Sequence, residues 1–331
     1  MGRQSNKGRK KTKKKISQTS KRNFVADAGT GCYIVREPNA GNIIEFENID
    51  AAAYDGENVP DVALDPDDKT LSLCNVDRVS KVAYVTVYET ECFGGDFERL
   101  QPGSTTDNNG ETKSCLTFIV LCPPSMFVHL CYMQTDDVLS VRIESDVQEW
   151  NRHPAPDDSH PQQLGFPLAQ GPFLCTQGEN GHLTHFMSGN LHALDFRCPV
   201  GTPLLAAGDG VVIESRNENS LTGIAVSNLF KWNSILLKLD NDEDPLFVEY
   251  VHIQSSEVKV GQRVSMGEVI GTSGSVGFSP EPHLHFAAYR SGELDAATVR
   301  VLFRAQDHSS FLPNAGRYYA EEGEVSMETT G

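Results

Sequence analysis

Pro280-Glu281-Pro282-His283-Leu284-His285-Phe286 follows directly on a glycine-rich run, Gly271-Thr272-Ser273-Gly274-Ser275-Val276-Gly277. The apolar residues Leu284, Phe286, Ala287, Ala288 and Tyr289 mark this segment as a strand. Side chains on a strand alternate between faces, so His283 and His285 share one face. Two imidazoles on one face suit a metal ligand beside an acid/base group. Taken alone, a His-x-His is also compatible with two solvated histidines at a sheet edge.

The neighbouring blocks narrow that choice. Asp195-Phe196 precedes Pro199-Val200-Gly201-Thr202-Pro203, and Ala206-Ala207 leads to Gly210-Val211-Val212. Tyr250-Val251-His252-Ile253 and the hairpin-like Val258-Lys259-Val260-Gly261 to Val269-Ile270-Gly271 follow in order. Together these blocks resemble the lysostaphin or LytM-type zinc metallopeptidases, over about residues 166–319. The resemblance implies a compact antiparallel β core of the duplicated hybrid motif type. It also implies one Zn2+ held by His185, Asp195 and His285, with His252 and His283 as the catalytic histidines. One of that pair would activate water and the other would stabilise the oxyanion or pass a proton to the leaving amine. The implied activity is hydrolysis of peptide bonds, with peptidoglycan cross-bridges as the family substrate.

The first ligand is the irregular part of the pattern, because His192 competes with His185. His192 stands three residues before Asp195, which on a regular strand places it on the opposite face. His185 is ten residues away, too far along a straight strand, but Ser188-Gly189-Asn190 offers a turn that folds it back. The subgroup resembling Thr184-His185 carries its ligand before such a loop, which favours His185. Two features depart from the family pattern. Glu281 replaces a glycine, adding a carboxylate beside His283, and the connection from Glu214 to Trp232 is lengthened.

The 331-residue chain has a net charge of −17. Residues 1–22 hold ten of the 28 Lys+Arg and no acid, which leaves 18 basic against 45 acidic residues, about −27, in the remainder. Such an acidic body repels nucleic acid, and only the basic leader offers it a weak foothold. No apolar run is long enough for a membrane helix, and the start lacks the apolar core of a secretory signal. An intracellular location follows as the expectation: cytoplasm, nucleus or organelle. The eight cysteines include no Cys-x-x-Cys pair, so reduced, buried thiols are expected.

The chain divides into a disordered basic tail (1–22), a β-rich unit of unknown role (23–150), a polar Pro-rich linker (151–165) that contains His153 and His160, the peptidase-like unit (166–319) and an acidic tail (320–331). Leu139–Glu144 and Val85–Glu89 alternate like half-buried strands. Leu116–Leu121 and Met126–Leu130 are nearly continuous apolar runs, as in strands covered on both faces. An all-β protein is expected, its first unit sandwich-like. His129, inside such a run, reads as a hydrogen-bonded core histidine. The alternative to a zinc endopeptidase is a non-catalytic binding or activator protein on the same fold; relatives of that kind lack ligand histidines, whereas here all five positions have a candidate. The partner expected is a peptide or peptidoglycan-like substrate.

Overall fold

The computed structural model describes residues 25–26, 30–35, 43–45, 61–94, 98–150 and 161–326, apart from 182–183, 186–188, 242 and 294–295. The basic leader, His153 and His160 lie outside the described residues. Strands and two short 3-10 turns make up the regular structure among the described residues, as an all-β chain requires.

The C-terminal half is built on a nine-stranded sheet. Its centre is the strand His283–Tyr289, between Phe247–Val251 on one side and Leu194–Arg197 on the other. Beyond Leu194–Arg197 come Phe173–Gln177, Tyr318–Ala320 and Gly323–Val325; beyond Phe247–Val251 come Ser234–Leu239, Gly210–Arg216 and Arg263–Val264. The sheet therefore runs on past residue 320, into the stretch expected to be an acidic tail. Gln162–Leu164 pairs in parallel with residues 301–303, so the end of the expected linker is itself a strand.

Alternation divides the central strands into two faces. Leu284, Phe286 and Ala288 join Leu194, Phe196, Cys175, Val248 and Tyr250 in one apolar core. That core is closed by a three-stranded sheet of Pro203–Leu205, Val269–Ser273 and Ile253–Ser256, which contributes Leu204, Ile253 and Ile270. The Tyr250 hydroxyl ties the two layers, accepting from Ala207 N at 2.8 Å and donating to Leu205 O at 2.9 Å. His283, His285, Asp195 and Gln177 are left on the opposite face.

In the N-terminal half a seven-stranded and a five-stranded sheet share a second core. Ala83, Val85, Val87, Leu116, Phe118 and Val120 from the first meet Leu71, Leu73, Val128 and Leu130 from the second. The strand Lys81–Tyr88 is covered on both faces, contrary to its half-buried reading. Its Val82, Tyr84 and Tyr88 pack against the C-terminal half. Leu116–Leu121 is covered on both faces, as expected, but Met126–Leu130 buries only Val128 and Leu130 fully. The Leu139 stretch begins as a 3-10 turn over Val138–Ser140, because Asp137 Oδ1 accepts from Leu139 N at 3.1 Å; the strand starts at Ile143. His129 is half-buried and lies against Tyr132, ring centroids 4.5 Å apart and planes tilted by 54°, and its Nε2 has no hydrogen-bond partner among the described residues.

The two halves meet through the long connection between Glu214 and Trp232. Thr222–Gly223 pairs with Thr105–Thr106, adding a strand to the N-terminal sheet. Thr117 Oγ1 donates to Ile224 O at 2.5 Å, Val226 N donates to Thr86 Oγ1 at 3.0 Å, and Asn228 Nδ2 donates to Thr105 Oγ1 at 3.0 Å.

Candidate metal centre and cleft

Strand register sets the site. Gln177 lies opposite Asp195, Asp195 opposite His285, and His285 opposite Val251, so one row crosses four strands. Residues in register on neighbouring strands present side chains to the same face, which brings Asp195 and His285 together across 90 positions of sequence. His285 Nδ1 is 2.8 Å from Asp195 Oδ1. His252 follows Val251 at the crossing into the three-stranded sheet, with φ of 64°. A bulky residue held in this left-handed conformation is strained. Gly274 makes the corner possible: a Cβ there would lie 2.7 Å from His252 O and 2.6 Å from Gln254 N.

His185 Nε2 reaches to 3.2 Å from the same Asp195 Oδ1. It arrives by the turn on which it sits, with the N–H groups of Thr184 and His185 both donating to Gln177 Oε1, at 2.7 and 3.1 Å. Gln177 Nε2 donates to Asp195 Oδ2 at 2.7 Å, leaving Oδ1 turned toward the histidines. Gln177 had no role in the sequence reading. The Gly189-Asn190-Leu191-His192 turn brings the chain back, with Asn180 N donating to Leu191 O at 2.8 Å. His192 points elsewhere: its Nδ1 is 3.4 Å from Glu179 Oε1, a carboxylate that also binds Arg300.

One donor atom each from His185, Asp195 and His285 can be chosen so that all three lie within 4.8 Å of one another. His185 Nδ1 donates to Gly178 O at 3.0 Å, so its Nε2 carries a lone pair; that nitrogen is buried and has no hydrogen-bond partner among the described residues. Two imidazole nitrogens and a carboxylate oxygen are donor types that a zinc ion accepts. Hydrogen bonding from Gly178 O and Gln177 is the outer support such ligands need.

His252 and His283 stand beside this trio, their rings 4.6 Å apart, and the His252 ring is 6.2 Å from that of His285. His252 Nδ1 lies 2.7 Å from Val276 O, and His283 Nδ1 lies 2.7 Å from Glu281 O. A backbone carbonyl only accepts, so each Nδ1 carries the proton and each Nε2 is the basic nitrogen. Burial and the facing imidazoles depress the His252 pKa well below its ordinary value, which keeps it neutral. The carboxylate of Glu281 turns to Arg197 Nε at 2.7 Å, so this departure from the family glycine is neutralised across the strand pair.

These residues belong to a recognisable class. Residues 189–296 match Peptidase family M23, and this segment of the chain is an M23 peptidase domain. Asp195, His252, His283 and His285 fall inside the matched residues; His185 lies four positions before them. The chain is 36% identical over 110 residues to the peptidoglycan DD-endopeptidase ShyC of Vibrio cholerae, a stretch covering 32% of this chain and 22% of that protein. It is 35% identical over 143 residues to the glycyl-glycine endopeptidase ALE-1 of Staphylococcus capitis, covering 43% of this chain and 34% of that protein. Among solved structures, the catalytic domain of lysostaphin from Staphylococcus simulans aligns at 29% identity and a TM-score of 0.28, over 41% of this chain and 88% of that one. The chain thus spans about a fifth to a third of the length of these two curated relatives. Their names correct one expectation. Peptidoglycan lies outside the cytoplasmic membrane, so relatives that act on it point away from the intracellular location inferred from the N-terminal composition.

Proposed function

We propose that the chain is a zinc metalloendopeptidase that hydrolyses peptide bonds in peptidoglycan cross-bridges. The observation that carries this reading is the convergence of His185 Nε2, Asp195 Oδ1 and His285 Nδ1, beside two further histidines whose Nε2 atoms are free to accept protons. A zinc ion bound by these three ligands would supply a Lewis acid and lower the pKa of coordinated water to about 7.

The remaining work falls to the protein. Gln177 fixes the Asp195 carboxylate and, through the Thr184 and His185 N–H groups, the first ligand. His252, kept neutral by burial, accepts the proton of the attacking water at Nε2. His283 stands across from it, the two rings 4.6 Å apart; once its Nε2 has taken up the proton relayed from His252, it stabilises the oxyanion and hands that proton to the leaving amine. Residues 166–319 are the catalytic unit in this reading, and residues 23–150 a second unit attached to it.

The relatives' names and the family match support peptidoglycan as substrate. The test is digestion of purified peptidoglycan and of glycine-rich peptides by the full chain, with and without chelator. Release of new amino termini that stops on chelation and returns with zinc is the expected result. No release from either substrate by zinc-loaded protein would leave only the non-catalytic binding alternative.

A further inference from the structure

The face of the nine-stranded sheet that carries the histidines looks toward the N-terminal half. It forms the floor of a cavity of about 450 Å3 that extends from Asp195, His252, His283 and His285 to the N-terminal half. Tyr84 and Trp150, from the N-terminal half, line its far side together with Leu229, Phe230 and Trp232 from the long connection. Phe278, in the loop leading to His283, meets Tyr84 edge to face at 5.9 Å.

We propose, building on the peptidase reading above, that the N-terminal half supplies a substrate-recognition wall, and that this wall and the sheet floor together hold an ammonium-bearing segment of the peptide beyond the scissile bond. Three observations support this. The cavity is continuous with the catalytic histidines, so a peptide seated on them extends into it. Its aromatic surfaces include Trp150, whose buried indole N–H has no acceptor among the described residues, and Phe230, which is 58% exposed although it is a large apolar side chain. Its lining carries Glu149, Glu214, Glu249, Glu281 and Glu293, against Arg216 as the one Lys or Arg.

Charge and register locate the cation. Glu214 lies opposite Leu236, Leu236 opposite Glu249, and Glu249 opposite Ala287, which places both carboxylates on the histidine-bearing face of the sheet. Arg216 is paired with Glu214 at 2.9 Å, and Arg197 outside the lining offsets Glu281, so Glu249 has the Tyr289 hydroxyl at 3.2 Å, the adjacent Trp232 and only the field of an Arg216 already held by another carboxylate. Burial raises its pKa, a shift that an ammonium guest would reverse. Aromatic faces beside a partly desolvated carboxylate are a suitable environment for a cationic group.

The two tryptophans of the chain both line this cavity, so indole fluorescence reports its occupancy. The experiment uses the full chain with Trp232→Phe, which leaves Trp150 as the sole indole, and His283→Ala to prevent turnover. It is titrated with a glycine-rich hexapeptide bearing a free terminal amine and with its N-acetylated twin. The inference predicts a saturable Trp150 response, about ten-fold tighter binding of the free amine, and loss of that preference with Glu249→Gln. Binding without a Trp150 response, equal affinity for the two peptides, or a preference unmoved by Glu249→Gln would overturn it. The readout is binding, so it is independent of whether the wild type hydrolyses peptidoglycan.

Discussion

Gln177 and Asp195 are joined by a 2.7 Å hydrogen bond from Nε2 to Oδ2, while the same Gln177 side chain accepts the N–H groups of Thr184 and His185 through Oε1. One buried amide thus couples two proposed ligands from separate segments. Replacement by leucine leaves a buried carboxylate oxygen and two backbone donors without partners, at about 1–3 kcal/mol for each lost partner. Gln177→Leu is expected to weaken zinc affinity about 10–100-fold, measured by competition with a chelating dye. Unchanged affinity would show that the ligands hold their positions without it.

The second prediction concerns the corner at His252. A methyl group at position 274 meets backbone atoms at 2.6 and 2.7 Å, and backbone cannot move aside as a side chain can. Gly274→Ala should lower stability by about 1–3 kcal/mol and, by displacing His252, reduce kcat while zinc content stays near one per chain. Normal turnover in this variant would mean that the corner is more tolerant than its geometry indicates.

A third prediction follows from the junction of the two halves. The larger C-terminal core, from Leu164 to Tyr319, lies wholly within one half, so a fragment of residues 161–326 should fold and retain zinc. That fragment exposes Ile224, Ala225, Leu229 and Phe278, which in the full chain pack against Tyr84, Tyr88 and Cys115. Proteolysis of the fragment should therefore begin between residues 217 and 232, a stretch protected in the full chain. A fragment as resistant there as the full chain would contradict the role given to the junction.

Acid sensitivity provides a fourth. Burial lowers the pKa of His129 to about 4. Its ordinary value lies near 6.5, so the unfolded chain takes up a proton that the folded chain refuses. The resulting stability is present above about pH 6.5, declines as pH falls toward 4, and is gone below that value. His129→Gln should flatten this part of the pH profile relative to wild type, read from urea midpoints at pH 7, 5 and 4. Parallel profiles would show that His129 is neutral or charged alike in both states.

Much of the C-terminal half was legible because its signals are local. The alternation of His283, Leu284, His285 and Phe286 identified a strand with one polar and one apolar face, and the structure follows it residue by residue. Asp195 was selected through its sequence neighbours, and the structure sets it opposite His285. Gln177 was not, because its role depends on lying opposite Asp195 in the sheet, and single-chain periodicity carries no register information. The choice between His185 and His192 rested on a turn and not on a strand, and the structure brings His185 to the trio and sends His192 to Glu179.

The N-terminal half was harder to read. Val85–Glu89 alternates like a half-wet strand, yet Lys81–Tyr88 is covered on both faces because a distant connection, residues 222–229, packs on its outer side. The Leu139 stretch failed for the opposite reason. Asp137 nucleates a 3-10 turn through one side-chain hydrogen bond, which outweighs a short alternating pattern.

The central claim is that the strand His283–Tyr289 presents one histidine that holds zinc and one that does not. Zinc content of purified His285→Ala and His283→Ala, measured by elemental analysis beside their hydrolysis of peptidoglycan, tests it most directly. The account predicts zinc lost in His285→Ala, zinc retained near one per chain in His283→Ala, and hydrolysis collapsed in both. Zinc retained in His285→Ala, or lost equally in the two variants, would contradict it.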